Sequence, residues 1–347
     1  MARVKLRWLV LIVALVALAL AGGFLLLQRP GHKVAAEKIR FRLQWFPQAQ
    51  FAGYIVANAL GYYAQRGLDV EVRPAGPDLK PQMAVAAGTD DIAVGVSNQV
   101  IAARSNGVPL VIIAQLFQDS ANRYVLKKKN AIGSLTDLRG RKVGLWLGGD
   151  EAEFVAMLKT VGMTLNDVVV VPEGFSVTPF LHDEYVLSQV TTYNELIQIQ
   201  DQGYGDDKLQ VLSPGSYEAA IVSDMVFTTE QFLKNHRDAS RKFLEASLEG
   251  WLYCIENPDE AVDIVLKSNP ELRREHQTKQ LRAVLGLIWS GEARTKGIGY
   301  MDAAYYRTAE KVLFGSGQIK NHVDASTVFD ASVWNEINST EKLPRSP

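Results

Sequence analysis

Flat heteroaromatic rings are held by aromatic faces and by amide side chains that both donate and accept hydrogen bonds. This chain concentrates both residue types. Trp45, Phe51 and Tyr54 stand with Gln44, Gln48 and Gln50 in the stretch from Leu43 to Tyr54. Trp146 precedes Gly148-Gly149 and the acids Asp150, Glu151 and Glu153, while Tyr193 precedes Asn194 and Glu195. Asn98, Gln115, Gln118 and Asp224 stand apart from these runs. Stacking on such rings adds about 0.5–1.5 kcal/mol per aromatic pair beyond area burial. The amides suit ring nitrogens and an exocyclic amine, and Gly148-Gly149 allows close backbone approach. Asp150, Glu151 and Glu153 fall in the first turn of an expected helix. There they match its positive end and disfavour an anionic ligand, leaving a neutral or amino-bearing ring. Each group has a second reading: the aromatics as packing under the first helix, the three acids as ordinary helix starters. Glu195 and Asp224 equally suit a solvated helix or a crossover.

Catalytic patterns are missing. The five histidines, His32, His182, His236, His276 and His322, have no metal-ligand spacing, and neither a Gly-x-Ser-x-Gly elbow nor a phosphate-binding loop occurs. The single cysteine, Cys254, lies in an apolar helical stretch, where a buried inert thiol is expected and no disulfide can form within the chain. No metal and no cofactor are therefore expected. A formal net charge of −1, with no basic block beyond the first residues, argues against nucleic acid as a partner.

These residues must be positioned by alternating strands and helices, the pattern of an α/β fold. Period-2 alternation at Ile39, Phe41, Leu43 and Trp45 predicts a first strand over 39–45. Further strands are expected at 68–72, 92–96, 110–116, 142–146, 168–171, 186–191 and 209–212. Helices are expected near 50–65, 81–87, 98–106, 151–161 and 193–201. Ile221–Ser223 reads as a return to the first unit, and the chain beyond it is mainly helical. Thr228 with Gln231 fits a capping box, and Asn257-Pro258 opens another helix, followed by helices near 271–290 and 303–314. In an α/β sheet, ligands collect at the carboxyl ends of the strands, beside Trp45, Trp146 and Tyr193. The uncharged run Trp8–Leu27 follows Arg3, Lys5 and Arg7 and has the length of a membrane span. It predicts an uncleaved anchor with the bulk of the chain outside the cytoplasmic membrane, cleavage after Ala21 being the alternative.

Several blocks carry a family resemblance. They are Gln44-Trp45 through Phe51-Ala52-Gly53-Tyr54, Gly61-Tyr62-Tyr63 with Gly67-Leu68-Asp69-Val70, Pro74 to Asp78, Gly95-Val96-Ser97-Asn98 and Ala114 to Gln118. Gly144 to Phe154, Thr192-Tyr193-Asn194-Glu195, Phe227-Thr228-Thr229, Gly250-Trp251 and Glu256-Asn257-Pro258 come after them in order. The chain resembles the NMT1/THI5-like family of thiamine-pyrimidine binding proteins. The resemblance implies a periplasmic-binding-protein fold, type II-like: two α/β lobes, two chain crossovers and a ligand cleft between them. The expected division is an anchor or signal at 1–30, a linker at 31–37, lobe 1 from 38–125 plus 222–337, lobe 2 at 126–221, and a loose tail at 338–347. It further implies a monomeric solute-binding component of an ABC importer, presenting a hydroxymethylpyrimidine- or formylaminopyrimidine-type ligand to a membrane permease. Expected ligand contacts are Trp45, Gln48, Phe51, Tyr54, Asn98, Gln118, Trp146, Gly148, Gly149, Glu151, Tyr193, Asn194, Glu195 and Asp224. Riboflavin or another heteroaromatic, or a membrane-anchored sensor, are the alternative readings. The superfamily also contains a hydroxymethylpyrimidine phosphate synthase that uses a lysine and a histidine. Ser97 and Ile101 stand at those positions here, so a synthase is the least favoured reading.

Overall fold

The computed structural model describes residues 35–345. The expected anchor, Trp8–Leu27, and most of the linker lie outside the described residues. Among the described residues, no helix is long and apolar enough to cross a membrane.

Ten strands among these residues form two five-stranded sheets. The first has the order β2-β1-β3-β10-β4 and the second β7-β6-β8-β5-β9. In the first, β1 (Glu37–Arg42) pairs parallel with β2 (Leu68–Arg73) and β3 (Ile92–Gly95). There β10 (Met225–Thr229) runs antiparallel between β3 and β4 (Leu110–Gln115). In the second, β6 (Lys142–Leu145) pairs parallel with β7 (Val169–Pro172) and β8 (Leu187–Thr191). There β5 (Asn122–Lys127) runs antiparallel between β8 and β9 (Leu209–Leu212). Each sheet thus takes in one reversed strand directly after the chain crosses from the other. The crossing segments are 116–121 and 213–224. The first crossing is complete by Asn122, ahead of the boundary expected at Val125, because β5 already belongs to the second sheet. Its sequence, Asn122-Arg123-Tyr124-Val125, hides the strand behind two polar residues.

The alternation in β1 buries Ile39 and Phe41, while Arg40 and Arg42 reach Asp91 and Asp90 at 2.5 and 2.7 Å. The strand ends at Arg42, so Gln44 and Trp45, expected in strand, lie in the loop that leads to the cleft. The helix expected over 50–65 is divided at Gly61, whose φ of 75° suits glycine and breaks the helical run. Thr228 lies in β10, and it is Thr229 that caps the next helix by accepting from the Phe232 N–H at 3.0 Å. The stretch read as one helix from there past Tyr253 is two, Glu230–Asn235 and Arg237–Glu256. The tail at 338–347 is not loose through Arg345: Lys342 is buried, with its ammonium 3.8 Å from the Trp334 ring centre and donating to the Trp334 carbonyl at 3.2 Å. Cys254 is fully buried, and burial pushes its thiol well above the usual range.

All six residues of β4 are buried although it is an edge strand. C-terminal backbone covers that edge through bridges from Ile112 to Phe329 and from Gln115 to Gly299. The helix Ala52–Ala59, which carries the Gln-rich loop on its N-terminal side, crosses the helix Arg237–Glu256 at two glycines. A Cβ at Gly250 would collide with the Gly53 carbonyl, and one at Gly53 would collide with the Trp251 ring. Replacing Gly250→Ala is expected to destabilise the protein by ~1–3 kcal/mol, since overpacking at a rigid contact costs that much. A lowered thermal midpoint would register it, and an unchanged midpoint would mean that the helices slide apart freely.

Candidate functional site

A cleft of about 460 Å³ lies between the sheets, within the range of small-molecule sites. Lobe 1 contributes Gln44, Trp45, Gln48, Gln50 and Asn98 to its wall, and lobe 2 contributes Trp146, Gly148, Gly149, Tyr193, Asn194 and Glu195. The loop after β1 and the loop after β6, each with its tryptophan, thus line the same cleft from opposite lobes. Across the mouth, the Trp45 ring lies 5.0 Å from the ring of Phe175, which comes after β7.

The Gln-rich loop is held by a one-way amide relay. Gln280 Nε2 donates to Gln48 Oε1 at 3.3 Å, Gln48 Nε2 to Gln50 Oε1 at 2.9 Å, and Gln50 Nε2 to both carboxylate oxygens of Asp224 at 3.2 Å. Such chains polarise and orient each member. Asp224 has φ of 54°, is buried, and lies behind Gln50 rather than in the cleft wall. The expectation that it meets ligand is therefore corrected. Burial pushes its carboxyl up to about 7.

On the other side, Gln189 of β8 pins the loop that carries Trp146. Its Oε1 accepts from the Trp146 N–H at 3.1 Å, and its Nε2 donates to the Asp150 carbonyl at 2.8 Å. Trp146 Nε1 donates to the Gly174 carbonyl at 3.3 Å. Gly148 and Gly149 take φ of 101° and 122°, which favour glycine. The turned-out Gly149 carbonyl accepts from Asn98 Nδ2 at 3.2 Å and Gln318 Nε2 at 3.1 Å, both from lobe 1. Asn98 therefore lines the cleft with its amide engaged in an inter-lobe latch.

Four other expected contacts are corrected. Phe51 and Tyr54 are fully buried in the lobe 1 core, Tyr54 packing at 4.8 Å on Phe41 and 5.7 Å on Trp251. The first helix turns them beneath the sheet instead of into the cleft. Gln118 is buried outside the wall, and its Nε2 donates to the carbonyls of Gln115 and Tyr300 at 3.0 and 3.1 Å. Glu151 accepts from the Gly149 N–H at 2.8 Å and stays out of the wall, whereas Asp150 and Glu153 line it. Positions i and i+3 share a helix face, and the residue between them does not.

Asn194 Oδ1 accepts from His276 Nε2 at 2.9 Å, and Glu195 accepts from the Thr191 N–H and hydroxyl at 3.0 and 2.6 Å. The reading by spacing missed Glu173, Phe175 and Asn122 in the wall. Glu153, 1% exposed, accepts from the Ile221 N–H at 2.6 Å and from Asn122 Nδ2 at 2.8 Å. It thereby ties the return crossing to the start of β5. Burial pushes the carboxyls of Glu153 and Glu173 up to about 7. No local sequence signal marks Glu173, since its partners Ser188 and Gln189 lie on another strand.

Residues 48–261 match the family model described as NMT1/THI5 like. This chain belongs to the NMT1/THI5-like family. It is similar to a riboflavin-binding protein of Chloroflexus aurantiacus, 27% identical over 308 residues that cover 86% of this chain and 87% of that protein. It is also similar to a formylaminopyrimidine-binding protein of Halalkalibacterium halodurans, 26% identical over 68% of this chain and 72% of that protein. A more distant relative, from Legionella pneumophila, is named 4-amino-5-hydroxymethyl-2-methylpyrimidine phosphate synthase; it is 21% identical over 68% of this chain and 75% of that protein. Among solved structures, the periplasmic aliphatic sulphonate binding protein SsuA from Escherichia coli superposes with a TM-score of 0.63 at 13% identity, covering 84% of this chain and 91% of that one. This NMT1/THI5-like protein has the periplasmic-binding-protein fold.

Two outcomes are expected from this geometry. Removing both latch donors (Asn98→Ala with Gln318→Ala) leaves the Gly149 carbonyl without its lobe 1 partners. It should cost the closed arrangement about 1–3 kcal/mol, at roughly 0.5–1.5 kcal/mol per hydrogen bond, and raise the radius of gyration in small-angle scattering. An unchanged radius would show that the latch does not hold the lobes. Asp224 retains a proton in the folded state that the unfolded chain releases near its ordinary value of 3.8. The stability it contributes is full below that value and is lost as pH rises through about 7. Asp224→Asn removes the buried charge, so its thermal midpoint should exceed the parent's at pH 8 and match it at pH 5. Equal differences at both pH values would exclude a titrating Asp224.

Proposed function

We propose that this protein is the solute-binding component of an ABC importer, taking up a thiamine-related pyrimidine of the hydroxymethylpyrimidine or formylaminopyrimidine type. The observation that carries this reading is the cleft wall, where Trp45 and Trp146 come from loops of opposite lobes with Gln44, Gln48 and Asn194 around them. A ring between such faces can stack on both sides while its nitrogens meet amide groups. The resemblance to a formylaminopyrimidine-binding protein supports the same ligand class. Ligand bridging both walls would favour the closed arrangement, which a membrane permease can read as a loaded state. In this reading the protein works as an extracytoplasmic monomer tethered to the inner membrane by residues 8–27. Within the cleft, Trp45, Gln48, Asn98, Trp146, Gly148, Gly149, Tyr193, Asn194 and Glu195 would contact the ligand.

Two alternatives draw on particular observations. Similarity to a riboflavin-binding protein over most of the chain favours a larger flavin-type ring as the second reading. Synthase activity fits less well. Ser97, at the position of the synthase lysine, is fully buried and donates its hydroxyl to the Val222 carbonyl at 2.8 Å, and Ile101, at that of the histidine, is core.

Calorimetric titration with hydroxymethylpyrimidine tests the proposal. Trp45→Ala and Trp146→Ala should each weaken binding by ~1–3 kcal/mol without loss of fold, the usual cost of truncating an anchor at a buried contact. Parent-like affinity in both variants would assign the tryptophans to packing and remove the basis of the reading.

A further inference from the structure

The two walls of the cleft differ in charge. Lobe 2 presents four carboxylates, Asp150, Glu153, Glu173 and Glu195. Among the described residues, none of the four is paired with a lysine, arginine or histidine. Their partners are neutral: the Ile221 N–H and Asn122 amide for Glu153, the Ser188 hydroxyl and Gln189 N–H for Glu173, and the Thr191 N–H and hydroxyl with the Asn194 amide for Glu195. Lobe 1 answers them with neutral amides. Its cationic contribution to the wall is Lys80, which is solvent-exposed.

Burying carboxylates without countercharge is costly, and proteins ordinarily pair them. The elevated carboxyls of Glu153 and Glu173 show that the neutral donors leave that cost only partly offset. Two further features favour the same kind of ligand. Gln44 Oε1, in a residue of the lobe 1 wall, has no hydrogen-bond donor among the described residues. The faces of Trp45 and Trp146 attract positive charge through their ring quadrupoles. Acids without an ion-pair partner, an unpartnered amide oxygen and indole faces therefore belong to one cavity.

Resting on the cleft as the ligand site of a binding protein, we propose that its ligand is a heteroaromatic cation, a thiamine-related aminopyrimidine that carries a second ring with a fixed positive charge in place of the neutral hydroxymethyl or formylamino group. The charge lies against the Asp150 and Glu173 side of the wall, and the rings lie between the tryptophans.

Titration calorimetry on the full chain tests this with two ligands that share one aminopyrimidine. Thiamine carries a quaternary thiazolium, and thiamine thiazolone replaces it with a neutral ring of nearly the same shape. Thiamine should bind at least tenfold more tightly, with an advantage that shrinks as sodium chloride is raised. Glu173→Gln and Asp150→Asn should each erode the thiamine affinity while leaving that for the thiazolone unchanged. Equal or tighter binding of the thiazolone overturns the cation proposal and leaves the pyrimidine reading in place. A thiamine advantage that survives both substitutions overturns the assignment to the acidic wall. If neither compound nor hydroxymethylpyrimidine binds, the cation proposal and the pyrimidine reading fall together.

Discussion

Glu153 joins the parts of this molecule that have to move together. A carboxylate so deeply buried needs donors, and it finds them on the backbone of the return crossing at Ile221 and on the side chain of Asn122 at the start of β5. Both connections between the lobes are therefore fastened to the first turn of one lobe 2 helix. The same side chain reaches the cleft wall. Three residues beyond Ile221, Asp224 sits in a left-handed backbone conformation and anchors the amide relay through Gln50, Gln48 and Gln280. The return crossing thus carries two polar networks, one tied to the start of β5 and one to the ligand-facing loop.

The inter-lobe contacts suit a closure that is reversible. Two amides of lobe 1 meet a single carbonyl, Gly149, and Lys279 reaches Asp201 at 2.6 Å across the gap. Trp45 and Phe175 touch at the mouth, where Phe175 remains exposed. Polar contacts of this kind contribute roughly 0.5–1.5 kcal/mol each, and less where they are solvated. An equilibrium held so lightly is one that a ligand with contacts on both walls can shift, because it need only bind the closed arrangement a few kcal/mol better. The large hydrophobic cluster of lobe 1 takes in Ala152 and Tyr193 from the lobe 2 side of the gap, while the other two clusters lie within lobe 2.

The asymmetry between an amide wall and an acid wall arises from which elements face the gap. Lobe 1 offers the loop after β1, the segment 76–81 and the start of the helix Ser97–Ser105, none of which carries an acid at the cleft. Lobe 2 offers the acidic first turn after Gly149 together with Glu173 and Glu195, each held in a tight turn by neutral donors. Salt bridges are plentiful elsewhere, as in Arg40–Asp91 and Arg42–Asp90. Among the described residues, the lobe 2 acids of the wall therefore stand without ion-pair partners, facing the exposed Lys80 alone, in a protein that pairs many acids elsewhere.

By itself the sequence determined the α/β alternation, nearly all the strands, the placement of Trp45, Trp146 and Tyr193 in strand-to-helix turns, and the family. These are properties of local periodicity, of glycine and proline punctuation and of residue blocks kept in order. Only the tertiary structure decided which polar groups meet the cleft. Phe51 and Tyr54 stand near Trp45 in the chain, yet a single helical turn carries them into the core. Gln118 and Asp224 belong to the crossings and are held by partners more than a hundred residues away. Glu173 enters the wall although nothing beside it in the chain announces it. Strand β5 escaped notice because its pairing partners, β8 and β9, lie sixty or more residues downstream. A side chain's direction is set by its own helix or strand, but whether it faces ligand, core or hinge depends on what the fold packs against it.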